Sequence, residues 1–280
     1  MVERKWQFKT KFRAEAFGWR GSRLAISRLK EAVSEIKAVA KSDPVAAGDG
    51  AVWLMERIWP AFQDIDTSSG ALGTAVARTL DELIPILIDA PADHSTRSKW
   101  LKRLFEAVQD DGVQYLSPVE NRFGEIARYP GLTNTYADEL LPLLRQVWSD
   151  QKHFEYVSGT AICLSCLLEA GRYAELAELL AKQRMKFWSW QRFGAEALLR
   201  QGRWEEAVAF ADLSATPGIR ATTRYPSICF ARKFSSSRAV RMRRTVVLVS
   251  AQQPAPQILP SIAPWFAPIR SATAVSCCSP

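Results

Sequence analysis

Residues 161–212 read AICLSCLLEAGRYAELAELLAKQRMKFWSWQRFGAEALLRQGRWEEAVAFAD, and this stretch decides the predicted fold. It contains two copies of one pattern: an apolar helical run, a glycine-arginine-aromatic turn, and a second helical run. The turns begin at Gly171 and Gly202, so the pattern repeats after 31 residues. A fixed period of this length, with two helices per copy, is typical of stacked helical hairpins.

Each helix of the second copy carries an apolar stripe, because its apolar residues recur at spacings of three and four. In the first helix these residues are Phe193, Ala197 and Leu198, and in the second they are Ala207, Val208 and Ala211. Gly202 stands where the first helix has to end, since glycine adopts a left-handed backbone without a steric penalty. We therefore expect an all-α protein.

The second turn carries a glycine-aromatic-x-x-alanine element, with Gly202, Trp204 and Ala207 in its three fixed positions. With this element and this period, residues 161–212 resemble the tetratricopeptide family, and we assign residues 153–212 to TPR-like repeats. The first copy departs from the family pattern, because Leu176 occupies the position of Ala207, and neither copy ends in the family's usual proline. The resemblance implies a right-handed superhelical array of antiparallel helix hairpins, a TPR-like α-solenoid, with a groove for a peptide or protein partner.

Residues 22–152 also alternate predicted helices with short loops, but without a fixed period, and we interpret them as an irregular array of helical hairpins. Its Ser68-Ser69-Gly70 loop resembles that of an uncharacterised bacterial helical family, a resemblance that implies no activity. Asp43 and Pro44 predict a helix start, with Asp43 as the N-cap, and Pro60 is expected to end or kink that helix. The predicted helices cover residues 22–40, 44–60, 71–90, 95–110, 116–127, 135–151 and 162–170.

The first 21 residues interleave basic side chains with five aromatic rings, and two interpretations are open. The rings are Trp6, Phe8, Phe12, Phe17 and Trp19. They can form a cap packed on the end of the helical array, or they can bind nucleic acid by stacking on bases while the cations contact phosphates. We favour the cap.

The net charge of +8 belongs to the C-terminal 68 residues. Residues 1–212 contain 28 basic and 29 acidic residues, whereas residues 213–280 contain nine basic residues and no acidic one. The tail is predicted to be disordered or poorly folded. The alternative for a genuine tail is a basic arm that binds polyanions.

A second interpretation of the tail is a shifted reading frame. The codons permitted by residues 230–247 allow CEEVLLVAGRADEAYRR in the alternative frame, whose glycine-arginine would fall 37 residues after Gly202. The tail would then replace a further hairpin of a longer repeat protein.

Motifs for catalysis and metal binding are weak. Asp64 and Asp66 suggest a calcium loop or an aspartyl-phosphate loop, but Ala75 stands where the calcium loop needs a bidentate Glu. Cys163 and Cys166 form a C-x-x-C pair inside a predicted helix, where we expect two buried small residues rather than a redox or zinc site. His94 and His153 have no partner at ligand spacing. We predict no catalytic residue, no metal and no cofactor.

The leading functional hypothesis is a non-enzymatic scaffold for protein–protein interaction. The candidate partner-binding residues supply rings and positive charge near the second repeat: Lys186, Trp188, Trp190, Arg192 and Arg203. The alternative is a nucleic-acid-binding regulator that uses the basic-aromatic N-terminus, and a third hypothesis is an enzyme built around Asp64 and Asp66. No apolar run is long enough for a signal peptide or a membrane span, so we expect a cytoplasmic protein.

Overall fold

A computed structural model describes residues 5–14, 16–149, 157–183 and 186–214 of the 280-residue chain. The chain divides into two units, Met1–Pro226 and Ser227–Pro280, and all of the described residues belong to the first. Their regular structure is entirely helical, which confirms the all-α prediction. The elements are a 3-10 helix Phe8–Lys11, α1 Ser22–Ala40, α2 Pro44–Phe62, α3 Ala71–Asp89, α4 His94–Asp110, α5 Ser117–Asn121, α6 Phe123–Ala127, α7 Pro130–Ser149, α8 Thr160–Glu169, α9 Tyr173–Lys182, α10 Trp188–Arg200 and α11 Trp204–Ser214.

The N-terminal segment buries four of its five rings. Trp6, Phe8, Phe12 and Phe17 lie in the hydrophobic core, whereas Trp19 is 67% exposed. Two backbone amides of the 3-10 helix region donate to the carboxylate of Glu35 on α1, which fixes the segment to that helix. Four of the rings are therefore part of the core, and the role of the segment as a cap of the helical array stays a prediction.

The helices before residue 111 follow the predicted bounds closely. Helix α1 has the predicted ends, and the side chain of Asp43 accepts a 2.9 Å hydrogen bond from the amide of Ala46 at the start of α2. Pro60 does not end α2, which continues to Phe62. Proline is tolerated there because it removes only one hydrogen bond in the last turn.

The predicted helix 116–127 is wrong as a single element. The chain leaves the helical conformation at Arg122, where φ is −122° and ψ is 16°, and forms the two short helices α5 and α6. A new helix start exposes amides that lack intrahelical partners. One of them, the amide of Gly124, donates a 3.0 Å hydrogen bond to the hydroxyl of Ser165 on α8.

The start of α7 also differs from the prediction. Pro130 was expected to follow the end of a helix, but it is the first residue of α7, which extends to Ser149. The fixed φ of proline suits the first helical position, where its missing amide hydrogen is not needed.

The two glycine turns of the repeat adopt the same hydrogen-bonded geometry. Gly171 and Gly202 have φ of 72° and 77°. The amide of Arg172 donates to the carbonyl of Leu167, and the amide of Arg203 donates to that of Leu198. These six-to-one bonds are the Schellman motif that ends many helices; they confirm the role predicted for Gly202 and show the same geometry at Gly171.

Most of the described helices pack against a neighbour along the chain and against the next helix but one. Helix α8 contacts α7 and α9, and it also contacts α5, α6 and α10. Pairs of the same kind are α1 with α3, α2 with α4, and α7 with α9. Stacking into a right-handed solenoid stays a prediction.

Several expectations concern residues outside the described part of the chain. These are the disordered tail, the shifted reading frame from residue 230 onward, and the context of His153. None of the helices in the described ranges has both the length and the hydropathy needed to cross a membrane.

Candidate functional site

Charged side chains lie along the three helices α6, α8 and α10, and one ion pair joins α8 to α10. Arg200 on α10 bonds the carboxylate of Glu169 at the end of α8, and its second ion pair joins it to Glu196 at 3.1 Å. Arg122, which precedes α6, pairs with Glu125 at 2.9 Å. We call the surface that carries these five residues the α6–α8–α10 face.

A cleft of about 280 Å³ opens beside this face. It lies between the C-terminal end of α3, the helices α6 and α7, and the last residue of α8. Its lining residues are Ile88, Gly124, Glu125, Arg128, Pro130, Thr133 and Glu169. The cleft thus has two carboxylates and one guanidinium around an otherwise neutral wall.

Gly124 allows α6 and α8 to approach each other closely beneath the cleft. A Cβ at this position would lie 2.4 Å from the carbonyl oxygen of Ser165 and 2.8 Å from Cγ of Glu169. Because both contacts are far shorter than van der Waals distances, only glycine fits without moving α8. This close approach brings Glu169 to the rim of the cleft.

Arg128 holds an unusual conformation at the end of α6. Its φ is 59° and its ψ is −32°, a region that non-glycine residues seldom adopt. Its Nη1 donates a 3.0 Å hydrogen bond to the carbonyl oxygen of Ile88. Among the described residues no carboxylate pairs with Arg128, in contrast to Arg122 and Arg200.

Arg97 is fully buried next to the carbonyl of Ile88. Its guanidinium donates to Leu87, Ile88 and Ala90 at the end of α3 and to Ile126 near the end of α6. Burial lowers the pKa of Arg97, and the charge of Arg128 lowers it further. Two arginines therefore share the carbonyl of Ile88 as an acceptor.

Arg97 was not predicted from the sequence, although its position in α4 gave a signal. Arg97 falls on the apolar stripe of α4 with Trp100, Leu101, Leu104 and Val108, all of them buried. A charged residue in such a stripe is normally satisfied by specific partners when it is buried. Its carbonyl partners lie on other helices, which a stripe alone cannot identify.

Two of the predicted partner-binding residues are engaged within the fold. The ammonium of Lys186 donates to the carbonyls of Leu180 and Ala181 at 2.7 and 3.1 Å, which caps the end of α9. Trp190 is 9% exposed and packs on Trp148 with ring centroids 5.5 Å apart. Trp190 is thus a core residue, and most of its ring is covered.

The other three predicted residues do not form one cluster. Trp188 is half-buried at the start of α10, and Arg192 lies over the ring of Phe193 at 4.3 Å. Arg203 follows the opposite end of α10, where it pairs with Glu206. Since a helix rises 1.5 Å per residue, Arg192 lies roughly 12 Å from the end of α10 at Arg200, and Arg203 lies beyond the turn that follows.

The cysteine pair is buried, as the sequence predicted. Cys163 and Cys166 have no exposed surface within α8. Burial raises the pKa of Cys163 to about 12 and raises that of Cys166 well above its usual value. Both thiols therefore stay protonated at neutral pH, which makes them poor nucleophiles.

The Asp64–Asp66 loop behaves as a capped turn. The carboxylate of Asp66 accepts a 2.9 Å hydrogen bond from the amide of Ser68, which lowers the pKa of Asp66. His94 begins α4, and its ring lies 5.3 Å from that of Tyr129. Across the described ranges, no three His, Cys, Asp or Glu side chains form a group suited to a metal ion.

A buried carboxylate was also missed. Glu120 on α5 is 8% exposed, and its pKa is raised to about 7 by burial and by the charge of Asp111. Asp111 itself accepts hydrogen bonds from the amides of Val113 and Leu116, so it shapes the turn before α5. The two carboxylates are separated by nine residues, a spacing that suggests no motif.

Comparison with known proteins gives no further guide to the site. No protein-family model, curated protein or solved structure matches the chain. The tetratricopeptide resemblance of residues 161–212 stays a prediction from the residues themselves.

Proposed function

We propose that this protein is a non-enzymatic helical-repeat scaffold that binds a peptide or protein partner. The observation that carries the proposal is the contact of α8 with both α6 and α10, in addition to its two neighbours along the chain. Successive hairpins that meet in this way can extend one continuous surface, which is how repeat proteins recognise partners. We propose that the hairpins stack as a right-handed, TPR-like array.

The α6–α8–α10 face is the proposed binding surface. Corresponding helices of successive hairpins supply it, and its ion pairs hold their side chains in fixed positions. A partner segment lying across the three helices would meet Trp188 and Arg192 at the start of α10. Lys186, Trp190 and Arg203 contact α9, Trp148 and Glu206, and we do not include them in this surface.

The proposal can be tested with peptides selected from a random displayed library on the immobilised full chain. Affinities of selected peptides are then measured by fluorescence anisotropy for the native chain, for Trp188→Ala and for Trp19→Ala. Because aromatic anchors dominate many interfaces, Trp188→Ala should weaken binding roughly tenfold or more.

Trp19→Ala is the matched control, since Trp19 is an exposed tryptophan on the N-terminal segment. Its affinities should equal those of the native chain. The scaffold proposal fails if no peptide is selected, and the proposed surface fails if both variants lose affinity equally.

We propose no nucleic-acid function for the N-terminal segment. Base stacking requires exposed ring faces, whereas Trp6, Phe8, Phe12 and Phe17 lie in the core. The cytoplasmic location expected from the sequence stays a prediction.

A further inference from the structure

We propose that the cleft beside the α6–α8–α10 face binds the carboxylate of an acidic side chain from a partner peptide, and that Arg128 is the residue that holds it. This inference rests on the proposed scaffold function and names the chemistry of its ligand. Four features of the cleft lead to it: the balance of charge, the free edge of the guanidinium, the strained backbone, and the two neighbouring carboxylates.

The charge balance around the cleft leaves an excess of cations. Glu125 pairs with Arg122, while Glu169 and Glu196 share Arg200, so these three carboxylates stand against four arginines once Arg97 and Arg128 are counted. Arg128 has no carboxylate partner among the described residues, and the buried Arg97 behind it is bonded only to carbonyl oxygens. A cation without a counter-charge favours an anionic ligand.

The guanidinium of Arg128 is anchored at one nitrogen and open at its other edge. Nη1 donates to Ile88, while Nε and Nη2 have no partner within the described ranges. This Nε–Nη2 edge presents two parallel donors, the arrangement that matches the two oxygens of a carboxylate. The hydrogen bond to Ile88 holds this pair of donors in position before the ligand binds.

The backbone of Arg128 adds a second, independent indication. A residue that ends a helix with positive φ is usually glycine, because a Cβ is disfavoured there. Arg128 adopts this disfavoured conformation, with φ of 59°, so its backbone is strained. Strain of this kind is concentrated at binding and catalytic sites, where a required side chain outweighs its cost.

The neighbouring carboxylates favour a singly charged ligand over a phosphate group. Glu125 and Glu169 line the same cleft as Arg128. A phosphate with nearly two negative charges would meet stronger repulsion from them than a carboxylate would. An aspartate or glutamate side chain therefore fits the cleft better than a phosphorylated residue.

The test measures binding of three labelled peptides of equal length to the full chain: one rich in glutamate, one in which glutamine replaces glutamate, and one in which phosphoserine replaces it. Arg128→Gln should weaken binding of the glutamate peptide roughly tenfold to a hundredfold, the effect of losing a charge-assisted pair of hydrogen bonds. Arg128→Lys should also bind the glutamate peptide weakly, because lysine keeps the charge but lacks the two parallel donors of a guanidinium.

Arg78→Gln is the charge-matched control. Arg78 is exposed on α3, and its replacement by glutamine removes one positive charge from the chain, as Arg128→Gln does. Its affinity for the glutamate peptide should stay within about twofold of the native value. Equal losses in Arg78→Gln and Arg128→Gln would overturn the proposal, since binding would then follow net charge.

The remaining outcomes separate this inference from the scaffold proposal. Tighter, Arg128-dependent binding of the phosphoserine peptide would overturn the choice of a carboxylate. If the glutamate peptide does not bind while library-selected peptides do, the carboxylate site is wrong and the scaffold stands. If neither kind of peptide binds, both proposals fall.

Discussion

The guanidinium of Arg97 donates a 2.6 Å hydrogen bond to the carbonyl oxygen of Ile126, which lies 29 residues further along the chain. The same group bonds carbonyls at the end of α3, including that of Leu87 at 2.9 Å. The last carbonyls of a helix have no intrahelical donors and carry its negative dipole end. One buried cation thus joins the C-terminal ends of α3 and α6.

Replacing Arg97 should destabilise the fold strongly. Arg97→Leu removes the donors and leaves several buried carbonyls without partners, so we expect a loss of about 3–5 kcal/mol in the free energy of unfolding. Arg97→Lys should also lose stability, because one ammonium cannot reach all four carbonyls. Urea denaturation followed by circular dichroism measures the change.

Arg103 on the same helix provides the control. It pairs with Asp49 and Glu56, but its side chain is 30% exposed. Arg103→Leu should therefore cost only about 1 kcal/mol. If Arg97→Leu costs no more than Arg103→Leu, the buried guanidinium does not hold the helix ends together.

Glu120 should make stability depend on pH. Burial raises its pKa from 4.5 to about 7, so the folded state favours the protonated form. Below pH 4.5 the group is protonated in both states and its burial costs little. Between pH 4.5 and 7 the unfolded state ionises first, and stability should fall by up to roughly 3 kcal/mol.

Glu120→Gln isolates this contribution because glutamine cannot ionise. The variant should match the native chain near pH 4 and exceed it in stability at pH 8. Urea denaturation at both pH values gives the comparison. A constant difference between the two proteins across this pH range would show that Glu120 titrates normally.

Local sequence patterns predicted what depends on local physics. The apolar spacing of residues 22–40 gave α1 its bounds, and Gly171 and Gly202 marked two turns with the same hydrogen bonds. Helices α5 and α6 were predicted as one element because periodicity cannot show that Ser165, far along the chain, accepts the amide of Gly124.

The candidate site depended even more on distant contacts. Lys186 and Trp190 were selected for their charge and ring, yet both are occupied by packing within the fold. Arg128 and Arg97 were not selected, since their shared acceptor Ile88 belongs to another helix. Composition identifies groups that can bind a partner, whereas only the fold shows which of them already have one.

Alanine should destabilise the fold at the two glycines in Schellman turns and stabilise it at a glycine within a helix. Gly171→Ala and Gly202→Ala should each cost about 1 kcal/mol, because positive φ disfavours a Cβ. A Cβ at either position meets no atom within 4 Å, so the backbone alone decides the result. Thermal or urea denaturation measures each change.

Gly73→Ala is the control for this pair. Gly73 lies in the first turn of α3, and a Cβ there also meets no atom within 4 Å. Because alanine is the better helix former, this variant should gain up to about 1 kcal/mol. Losses of equal size at all three glycines would mean that the two turns do not require positive φ.

Arg128 should reveal its backbone strain when glycine and alanine are compared at the same position. Both variants lose the hydrogen bond to Ile88, but only glycine relieves the positive φ of 59°. Arg128→Gly should therefore be about 1 kcal/mol more stable than Arg128→Ala. At Arg78, within α3, the order should reverse, because glycine is the poorer helix former. If alanine is also the more stable residue at position 128, the backbone there is not strained, and the case for a side chain kept for binding loses one of its supports.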